Sequence, residues 1–355
     1  MVSILKTTGI FRGMPNYPEV IMHKNKLVVV GVGHVGSYVL ADAMKTGLFA
    51  EIGLIDILKN VSFGEALDQT QATSLTYMNN VDVKSGGYEQ CADADVIIVA
   101  AGPSVIPDTN NPNAKPDRTL LTRTNCKVIR EVMVGITSYT TEAIIILITN
   151  PLDTMVYIAE NEFGYPAGRI FGTGTMLDSA RLRKIIADAC GVDPKSVTGY
   201  MMGEHGVTAF PVLSNLNVAG IPYGRLGQYF ENTEEISEPE NVKALVVNSA
   251  YNVLNNKGWT NAGVAQAAVT MARAVLLDEK SVYPACITLR GQYGHDGDVA
   301  LSMPCIIGRE GVLKKLPVEL NEWETRKMEE SIAYIQSTMR DARTGPRFLN
   351  KMFEF

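Results

Sequence analysis

The first half of the chain carries short runs of consecutive apolar residues, separated by longer stretches with helical periodicity. The runs are KLVVV, EIGLID, DVIIVAAG and AIIILITNP, at residues 26–30, 51–56, 95–102 and 143–151. Apolar residues that do not alternate with polar ones are typical of parallel strands buried on both faces. Helix-like segments fall between the runs, at 36–47, 64–75 and 119–139. This alternation predicts an α/β fold, with a doubly wound parallel sheet over residues 26–150.

After residue 151 the pattern changes to helices mixed with alternating, strand-like runs. Helices are predicted at 152–163, 178–190, 241–256, 262–278 and 321–343. Two alternating runs at 281–294 and 299–308 flank a turn rich in Gly and Asp, which indicates a β-hairpin. We therefore predict an N-terminal arm over 1–25, the doubly wound domain over 26–150, and an α+β domain over 151–355.

The composition excludes several classes of protein. With 355 residues, 46% of them hydrophobic, and a net charge of −6, the chain can bury two cores and lacks the basic balance expected for nucleic acid or anionic membrane partners. No apolar run approaches the roughly 20 residues of a membrane span, and the N-terminus lacks a signal-peptide core, so we expect a cytoplasmic protein. The five cysteines are widely spaced without a C-x-x-C pair, which predicts buried free thiols and no metal site.

The loop after the first predicted strand, VVVGVGHVGS, places Gly31, Gly33 and Gly36 in the pattern G-x-G-x-x-G. The first glycine permits a tight turn, the second lets backbone approach a pyrophosphate, and the third packs helix on strand. Asp56 ends the next strand, twenty residues after Gly36, where an acid binds ribose hydroxyls and repels a 2′-phosphate. A Rossmann-type domain that binds NAD is therefore predicted. The alternative for Asp56 is a strand-end cap, and His34 is expected at the pyrophosphate rather than at a reacting atom.

A second informative stretch is GTMLDSARLRKIIADAC. As a helix, it aligns one apolar stripe, formed by Leu182, Ile185, Ile186 and Ala189. Asp178 falls inside that stripe and Arg181 flanks it. Such a pair is usually a solvated surface bridge, but a carboxylate on a buried face needs a partner or a task. His205, one of four histidines, follows in MMGEHGV, where residue type alone leaves open a proton shuttle or a satisfied core imidazole.

The segments GVGHVGS, ITNPLD, GTMLDSAR and GEHG, in this order and at these intervals, resemble the L-lactate/malate dehydrogenase family over about residues 26–340. The resemblance implies that His205 donates and accepts the proton and that Asp178 orients it. It implies that Arg181 grips the substrate carboxylate, Asn150 bonds the reacting oxygen, and Arg118 polarises the carbonyl from a closing loop. The cofactor contacts implied beside the glycines and Asp56 are His34, Val35, Ala101, Gly102 and Asn150.

Elementary chemistry supports these roles. Hydride transfer to a 2-oxo acid leaves an alkoxide that must be protonated as it forms. Imidazole suits that step because its pKa lies near neutrality, and a neighbouring carboxylate holds its tautomer and favours imidazolium. A planar guanidinium matches a carboxylate with two parallel hydrogen bonds, which lysine cannot do. The sequence therefore predicts an oxidoreductase, an NAD-dependent L-2-hydroxyacid dehydrogenase.

The loop AAGPSVIPDTNNPNAKPDRTLL bears on the substrate, because in this family it covers the site. Counting from Gly102, Val105 takes the position where malate enzymes carry arginine and lactate enzymes glutamine. The loop is longer than usual, so Lys115 or an asparagine is the alternative at that position. Thr260 in GWTN resembles the pocket threonine of lactate enzymes. Pyruvate is the expected substrate, and KGWTNAGVA and IIGREGVL also resemble the L-2-hydroxyisocaproate branch, which takes larger apolar side chains.

Three alternatives stay open at this point. Malate dehydrogenase is disfavoured by Val105, because the second carboxylate of oxaloacetate would meet no guanidinium there. An NAD- and metal-dependent glycosidase needs a Cys/His metal pair, and the cysteine nearest to His205 in the sequence is Cys190. A non-catalytic NAD-binding protein is conceivable because a fold alone does not fix activity. The resemblance also implies a homo-oligomer, a dimer or a homotetramer, whose arm could reach a neighbouring subunit.

Overall fold

The computed structural model describes residues 25–75, 77–104 and 121–343, and a nine-stranded sheet organises them. The strands are, in chain order, β1 Lys26–Val30, β2 Glu51–Ile55, β3 Asp82–Ser85, β4 Val96–Val99, β5 Ile144–Leu147, β6 Ile170–Gly172, β7 Val197–Thr198, β8 Met201–Met202, β9 Phe210–Pro211, β10 Asn217–Val218, β11 Ile221–Pro222, β12 Ser281–Arg290, β13 Asp296–Gly308 and β14 Gly311–Lys315. The α-helices are α1 Gly36–Thr46, α2 Lys59–Ala72, α3 Thr122–Thr137, α4 Leu152–Glu162, α5 Met176–Cys190, α6 Pro239–Lys257, α7 Ala262–Leu276 and α8 Glu322–Arg343.

Six strands of the large sheet run parallel, in the order β3-β2-β1-β4-β5-β6. The direction in which the strands are added reverses between β1 and β4. In open α/β sheets, ligands bind in the crevice outside the carboxyl ends of the strands at such a point. The topology therefore places a candidate binding crevice beside the loops that follow β1 and β4.

Two cores cover the two faces of the parallel sheet. Leu27 and Val29 of β1 belong to the core that includes side chains of α1, α2 and α7. Val28 and Val30 belong to the opposite core, with side chains of α3 and α4. Every residue of β1 is buried, which explains why this strand is continuously apolar in the sequence instead of alternating.

The predicted fold class, a doubly wound parallel sheet followed by an α+β region, is confirmed, with one difference in how the two parts meet. The predicted hairpin exists as β12–β13, with Ile287 opposite Leu301, but it does not form a separate sheet. Cys286 of β12 pairs with Gly172 of β6, so the hairpin and β14 extend the parallel sheet. The reason is that β6 would otherwise leave an unpaired edge, with free N–H and C=O groups.

Two strands of the parallel sheet, β3 and β6, were not predicted, because β3 (DVKS) has a single apolar residue and β6 (IFG) has only three residues in all. The prediction of free, buried thiols is confirmed for all five cysteines. Among the helices of the described ranges, none is both long and apolar enough to cross a membrane. The division into an arm and two domains at residues 25 and 150 stays a prediction.

Candidate active site

The glycine loop joins β1 to α1, and each of its glycines meets a different steric demand. Gly31 has a φ of +90°, and a Cβ there would lie 2.6 Å from the Ala101 Cα. A Cβ on Gly36 would lie 1.8 Å from the Gly31 carbonyl oxygen, so only glycine fits where α1 begins. A Cβ on Gly33 would meet no atom within 4 Å. The backbone at Gly33 thus borders open space, which suits the close approach of a phosphate group.

Asp56, at the end of β2, holds the glycine loop in place. Its Oδ2 accepts a hydrogen bond from the Val32 backbone N–H at 2.8 Å, and its Oδ1 accepts one from the Leu58 N–H at 2.9 Å. The strand-end cap considered from the sequence is therefore present. The carboxylate also borders a cavity lined by Gly31, Gly33 and Gly102, which we call the loop cavity. The cap and a contact to ribose hydroxyls are compatible functions of one side chain.

A second cavity adjoins the first and gathers most of the residues predicted to carry the chemistry. We call it the histidine cavity. Its lining includes Val35, Gly102, Asn150, Arg181, His205 and Thr260. The two cavities share Ala100, Gly102 and Pro103, at and after the carboxyl end of β4. An extended ligand can therefore lie across the glycine loop and reach from one cavity into the other.

The carboxylate of Asp178 binds two cationic or protonatable side chains at once. Its Oδ2 lies 2.7 Å from Nδ1 of His205, and its Oδ1 accepts a hydrogen bond of 2.8 Å from Nη1 of Arg181. The three side chains are only 9–12% exposed. Because a carboxylate accepts, Nδ1 carries the proton in neutral His205, and Nε2 is the nitrogen left to exchange a proton with a ligand. The i, i+3 pair is thus formed, but in a buried position rather than as a surface bridge.

Helix α5 is tied directly to the strand that precedes His205. Thr175 Oγ1 donates to the Met201 carbonyl oxygen at 2.6 Å, and Ser179 Oγ accepts from the Met201 N–H at 2.9 Å. Thr175 and Ser179 are fully buried and flank Asp178 in the sequence. These bonds fix the distance between the aspartate on α5 and the histidine after β8. Both residues lie in GTMLDSAR, but sequence reasoning assigned them no role.

The GEHG segment is also anchored from two other elements. Gly203 exchanges two backbone hydrogen bonds with Ser302 of β13, at 3.0 and 2.9 Å. The Glu204 N–H donates to Ser331 Oγ of α8 at 2.6 Å, and the Glu204 carboxylate accepts from the Thr208 N–H at 2.9 Å. Four elements, α4, α5, α8 and β13, therefore hold this short segment in one position.

Asp153 is a buried acid beneath the histidine that sequence reasoning did not single out, although it lies in the quoted motif ITNPLD. It is 3% exposed, and its Oδ2 accepts a 3.0 Å hydrogen bond from the His205 N–H. The Cys286 thiol donates to its Oδ1 at 3.2 Å. Burial, with the nearby negative charge of Glu204, raises the pKa of Asp153 to about 7. Its place among the buried apolar residues of α4 was the available signal, the same one that identified Asp178.

Asn150 contributes a polar group that has no hydrogen-bond partner among the described residues. Its backbone carbonyl accepts a 2.6 Å hydrogen bond from Asn125 Nδ2, which fixes the segment after β5. Its side-chain Oδ1 is buried, and no group in the described ranges hydrogen-bonds to it. A buried amide of this kind costs free energy unless a ligand completes its hydrogen bonds. The open space at Gly33 and this amide both fit a dinucleotide with its reacting end in the histidine cavity.

The structure does not place every predicted site residue in the histidine cavity. Val105, Lys115 and Arg118 lie outside the described residues. His34 turns its ring onto Trp259, a residue that sequence reasoning missed. Another histidine, His295, also lies beside an aspartate, Asp298 at 2.8 Å, but this pair lies at the β12–β13 turn and does not line the histidine cavity. Within the described ranges, no group of three or more His, Cys, Asp and Glu could hold a metal ion.

Two family models match the chain over consecutive ranges. The lactate/malate dehydrogenase NAD binding domain matches residues 25–172, and the lactate/malate dehydrogenase alpha/beta C-terminal domain matches residues 175–344. L-lactate dehydrogenase 2 of Clostridium acetobutylicum is 45% identical over 322 residues, or 91% of this chain and 98% of that protein. L-lactate dehydrogenase of Selenomonas ruminantium is 41% identical over 317 residues, or 89% and 98% of the respective chains.

Solved structures give a matching result. The structure of MGS-M5, a lactate dehydrogenase from a Medee basin deep-sea metagenome library, has a TM-score of 0.82 at 29% identity and covers 90% of this chain and 99% of that one. The minor L-lactate dehydrogenase of Enterococcus mundtii, in a ligands-bound form, has a TM-score of 0.80 at 30% identity and covers 91% and 100%. The similarity thus extends over both halves of the chain.

We predict that Gly33→Ala and Gly36→Ala fail in different ways. The first adds a methyl group into open space, so the urea midpoint should stay near that of the unchanged protein while NADH affinity falls at least about tenfold, since the methyl displaces the phosphate. The second forces a clash with backbone and should cost about 3 kcal/mol or more of unfolding free energy. Urea titration and NADH fluorescence titration measure both quantities. Unchanged NADH affinity in Gly33→Ala would remove the loop from the cofactor site.

We further predict that Asp153→Asn flattens the pH dependence of stability. An acid whose pKa is higher in the folded than in the unfolded protein stabilises the fold when protonated. That contribution is present below the ordinary value of 3.8 and is lost as the pH rises to about 7. Asparagine can still accept from the His205 N–H but carries no charge to ionise. Between pH 4 and pH 8, the free energy of unfolding of the variant should therefore rise by up to about 4 kcal/mol relative to that of the unchanged protein.

Urea denaturation at a series of pH values measures this difference. Asp188→Asn is the matched control, because Asp188 is an exposed aspartate on α5. Equal slopes of stability against pH in Asp153→Asn and in the unchanged protein would contradict the prediction.

Proposed function

This chain belongs to the lactate/malate dehydrogenase family, and on that premise we propose that it interconverts a monocarboxylic 2-oxo acid and its L-2-hydroxy acid with NAD, pyruvate and L-lactate being the pair. The observation that carries the proposal is the His205–Asp178–Arg181 cluster, which opens into a cavity continuous with the glycine loop. The names of the relatives support the same reaction, since those from Clostridium acetobutylicum and Selenomonas ruminantium are both called L-lactate dehydrogenases.

The bound cofactor supplies or receives the hydride. In the direction of reduction, His205 transfers the proton on Nε2 to the carbonyl oxygen of the 2-oxo acid as that oxygen gains negative charge. His205 then returns to its neutral form and takes its next proton from solvent. The 2.7 Å contact of Asp178 with Nδ1 fixes the imidazole ring, so that Nε2 is the nitrogen that exchanges the proton with the substrate. The carbon–oxygen double bond thus becomes a single bond, and a new C–H bond and a new O–H bond form.

Arg181 and Asn150 orient the substrate in this scheme. Arg181 has five N–H donors in a planar fork, so it can bind Asp178 through Nη1 and the substrate carboxylate through others. The Nδ2 group of Asn150 can donate to the carbonyl oxygen of the 2-oxo acid, and its buried Oδ1 can accept from the hydroxyl group of the 2-hydroxy acid. Substrate carboxylate and carbonyl oxygen are then held by different side chains, which fixes the face that the hydride reaches.

The lining of the histidine cavity favours a monocarboxylate. In its described part, the lining supplies one guanidinium, Arg181, and the apolar side chains of Leu177, Leu254 and Val264. Oxaloacetate would bring a second carboxylate into this apolar wall, where burying an unpaired charge is costly. Pyruvate, and 2-oxo acids with larger apolar side chains, bring no such charge. Malate dehydrogenase is therefore the less favoured member of the family.

We predict the order of kcat/KM among four 2-oxo acids with NADH. Pyruvate should be the best, 2-oxoisocaproate and phenylpyruvate should follow, and oxaloacetate should be the poorest, by about a hundredfold or more. His205→Asn is the control: it should retain NADH binding while turnover falls about 10²- to 10⁴-fold. Val105→Arg should raise the activity on oxaloacetate if this position faces the substrate. Turnover of oxaloacetate as fast as pyruvate by the unchanged protein would refute the substrate assignment.

A homo-oligomer, a dimer or tetramer, is also proposed. Phe63 and Leu67, four residues apart on one face of α2, are 61% and 49% exposed. Apolar side chains clustered in this way indicate a protein contact surface. A second copy of the chain is the partner that the family resemblance implies.

Phe63→Glu should therefore lower the mass measured by light scattering after size-exclusion chromatography, because an ionised side chain in an apolar interface is costly. Val134→Glu is the matched control, since Val134 is also exposed and apolar but lies on α3, across the sheet. An equal mass for the unchanged protein and Phe63→Glu would exclude this face from the interface.

A further inference from the structure

One aromatic contact connects the glycine loop with the second half of the chain. The imidazole ring of His34 stacks on the indole ring of Trp259, with the ring centroids 3.9 Å apart and the planes within 2° of parallel. His34 lies in the range matched by the NAD-binding family model, and Trp259 lies in the range matched by the C-terminal one. The two rings thus bridge the two parts of the chain that together line the histidine cavity.

The chain neighbours of both rings line those cavities. His34 follows Gly33, which lines the loop cavity, and precedes Val35, which lines the histidine cavity. Trp259 precedes Thr260, which also lines the histidine cavity. The stack is therefore anchored next to the lining of both cavities, within the glycine loop that is expected to contact the phosphates of a dinucleotide.

The backbone on both sides of the stack is suited to let the rings separate and return. His34 follows Gly33, where even a Cβ would meet nothing within 4 Å. Trp259 follows Gly258, which has a φ of +93° and ends α6. His34 is itself exposed, so little packing besides the indole restrains its ring. The contact is a single stacked pair rather than part of a core.

We propose that the His34–Trp259 stack is a clasp that closes over the bound cofactor and slows its dissociation. Release of the dinucleotide then requires the two rings to separate. An aromatic pair of this kind stabilises the closed form enough to change a rate roughly two- to tenfold. The proposal rests on the binding of NAD to this domain and is independent of which 2-oxo acid the protein reduces.

The chain offers a direct probe, because it contains only two tryptophans, Trp259 and Trp323. Trp323 lies on α8, where its Nε1–H donates to Glu240 at 3.1 Å, and it lines neither cavity. In a Trp323→Phe background, the indole emission reports on Trp259 alone. Removing the stacked imidazole with His34→Ala should change that emission in the cofactor-free protein.

The deciding measurement is the rate of NADH dissociation, followed by stopped-flow fluorescence after mixing the complex with excess NAD⁺. His34→Ala and Trp259→Leu should each raise the dissociation rate constant roughly two- to tenfold. The double variant should dissociate no faster than the faster single variant, because both changes remove the same contact. His34→Phe keeps a stacking ring and should return the rate towards that of the unchanged protein. Urea midpoints of all variants should agree, which separates the clasp from a general structural role.

Several results would overturn the proposal. Dissociation rates unchanged in both single variants, or rate increases that multiply in the double variant, would show that the stack does not retain the cofactor. Faster association and tighter binding in the variants would show that the stack blocks the groove instead. Because no 2-oxo acid is present, a wrong substrate assignment cannot produce either result. Failure of the unchanged protein to bind NADH would overturn the cofactor assignment together with the clasp.

Discussion

The two-sided contact of one carboxylate, Asp178, is the interaction on which the rest of the site depends. A buried anion is stable only when its charge and lone pairs are satisfied, and Arg181 and His205 satisfy one oxygen each. The same contacts fix the ring orientation of His205 and the starting position of the Arg181 fork. Removing the carboxylate would leave a guanidinium and an imidazole side by side without an anion between them. The satisfaction of a buried charge and the proposed proton transfer therefore depend on the same three side chains.

The fold positions the parts of the site in two ways. The order of the parallel strands brings the glycine loop and the segment after β4 to one edge of the sheet, where the two cavities meet. The segment that bears His205 is instead held from outside the parallel strands, by hydrogen bonds to α5, α8 and β13. A cofactor site of a type that recurs in many α/β proteins is thereby combined with a histidine segment that the rest of the chain positions.

Local patterns were enough to predict the parallel sheet, the glycine loop and Asp56, whereas the grouping of His205 with Asp178 and Arg181 was implied by the resemblance to a known family. Continuous apolar runs mark β1, β4 and β5, because those strands are buried on both faces. Features that depend on distant partners could not be predicted in this way. β6 is recognisable only from the strands that pair with it on both sides. The pairing of the β12–β13 hairpin with β6 depends on which edge of the sheet is open, and that leaves no periodic pattern in the sequence.

The same limit explains which site residues were missed. Asp153 carried the same signal as Asp178, but the partners that give it a role, the His205 N–H and the Cys286 thiol, come from distant segments. Trp259 stacks on a residue from the other half of the chain, and the sequence around it, KGWTN, does not predict that contact. Thr175 and Ser179 read as ordinary polar residues of a helix start, although they join α5 to β8. The sequence shows the chemical type of each residue, but the roles of these residues depend on partners that only the folded chain brings next to them.

The pairing of β12 with β6 has a mechanical consequence. Since the strands of both halves share one hydrogen-bonded ladder, the halves cannot swing apart as rigid lobes without breaking strand pairing and exposing backbone groups. Hinge-bending of the kind found in enzymes with two separate lobes is thus unfavourable for this molecule. The passage of small molecules to the buried imidazole has to come from rearrangement of connecting segments around a scaffold that keeps its shape.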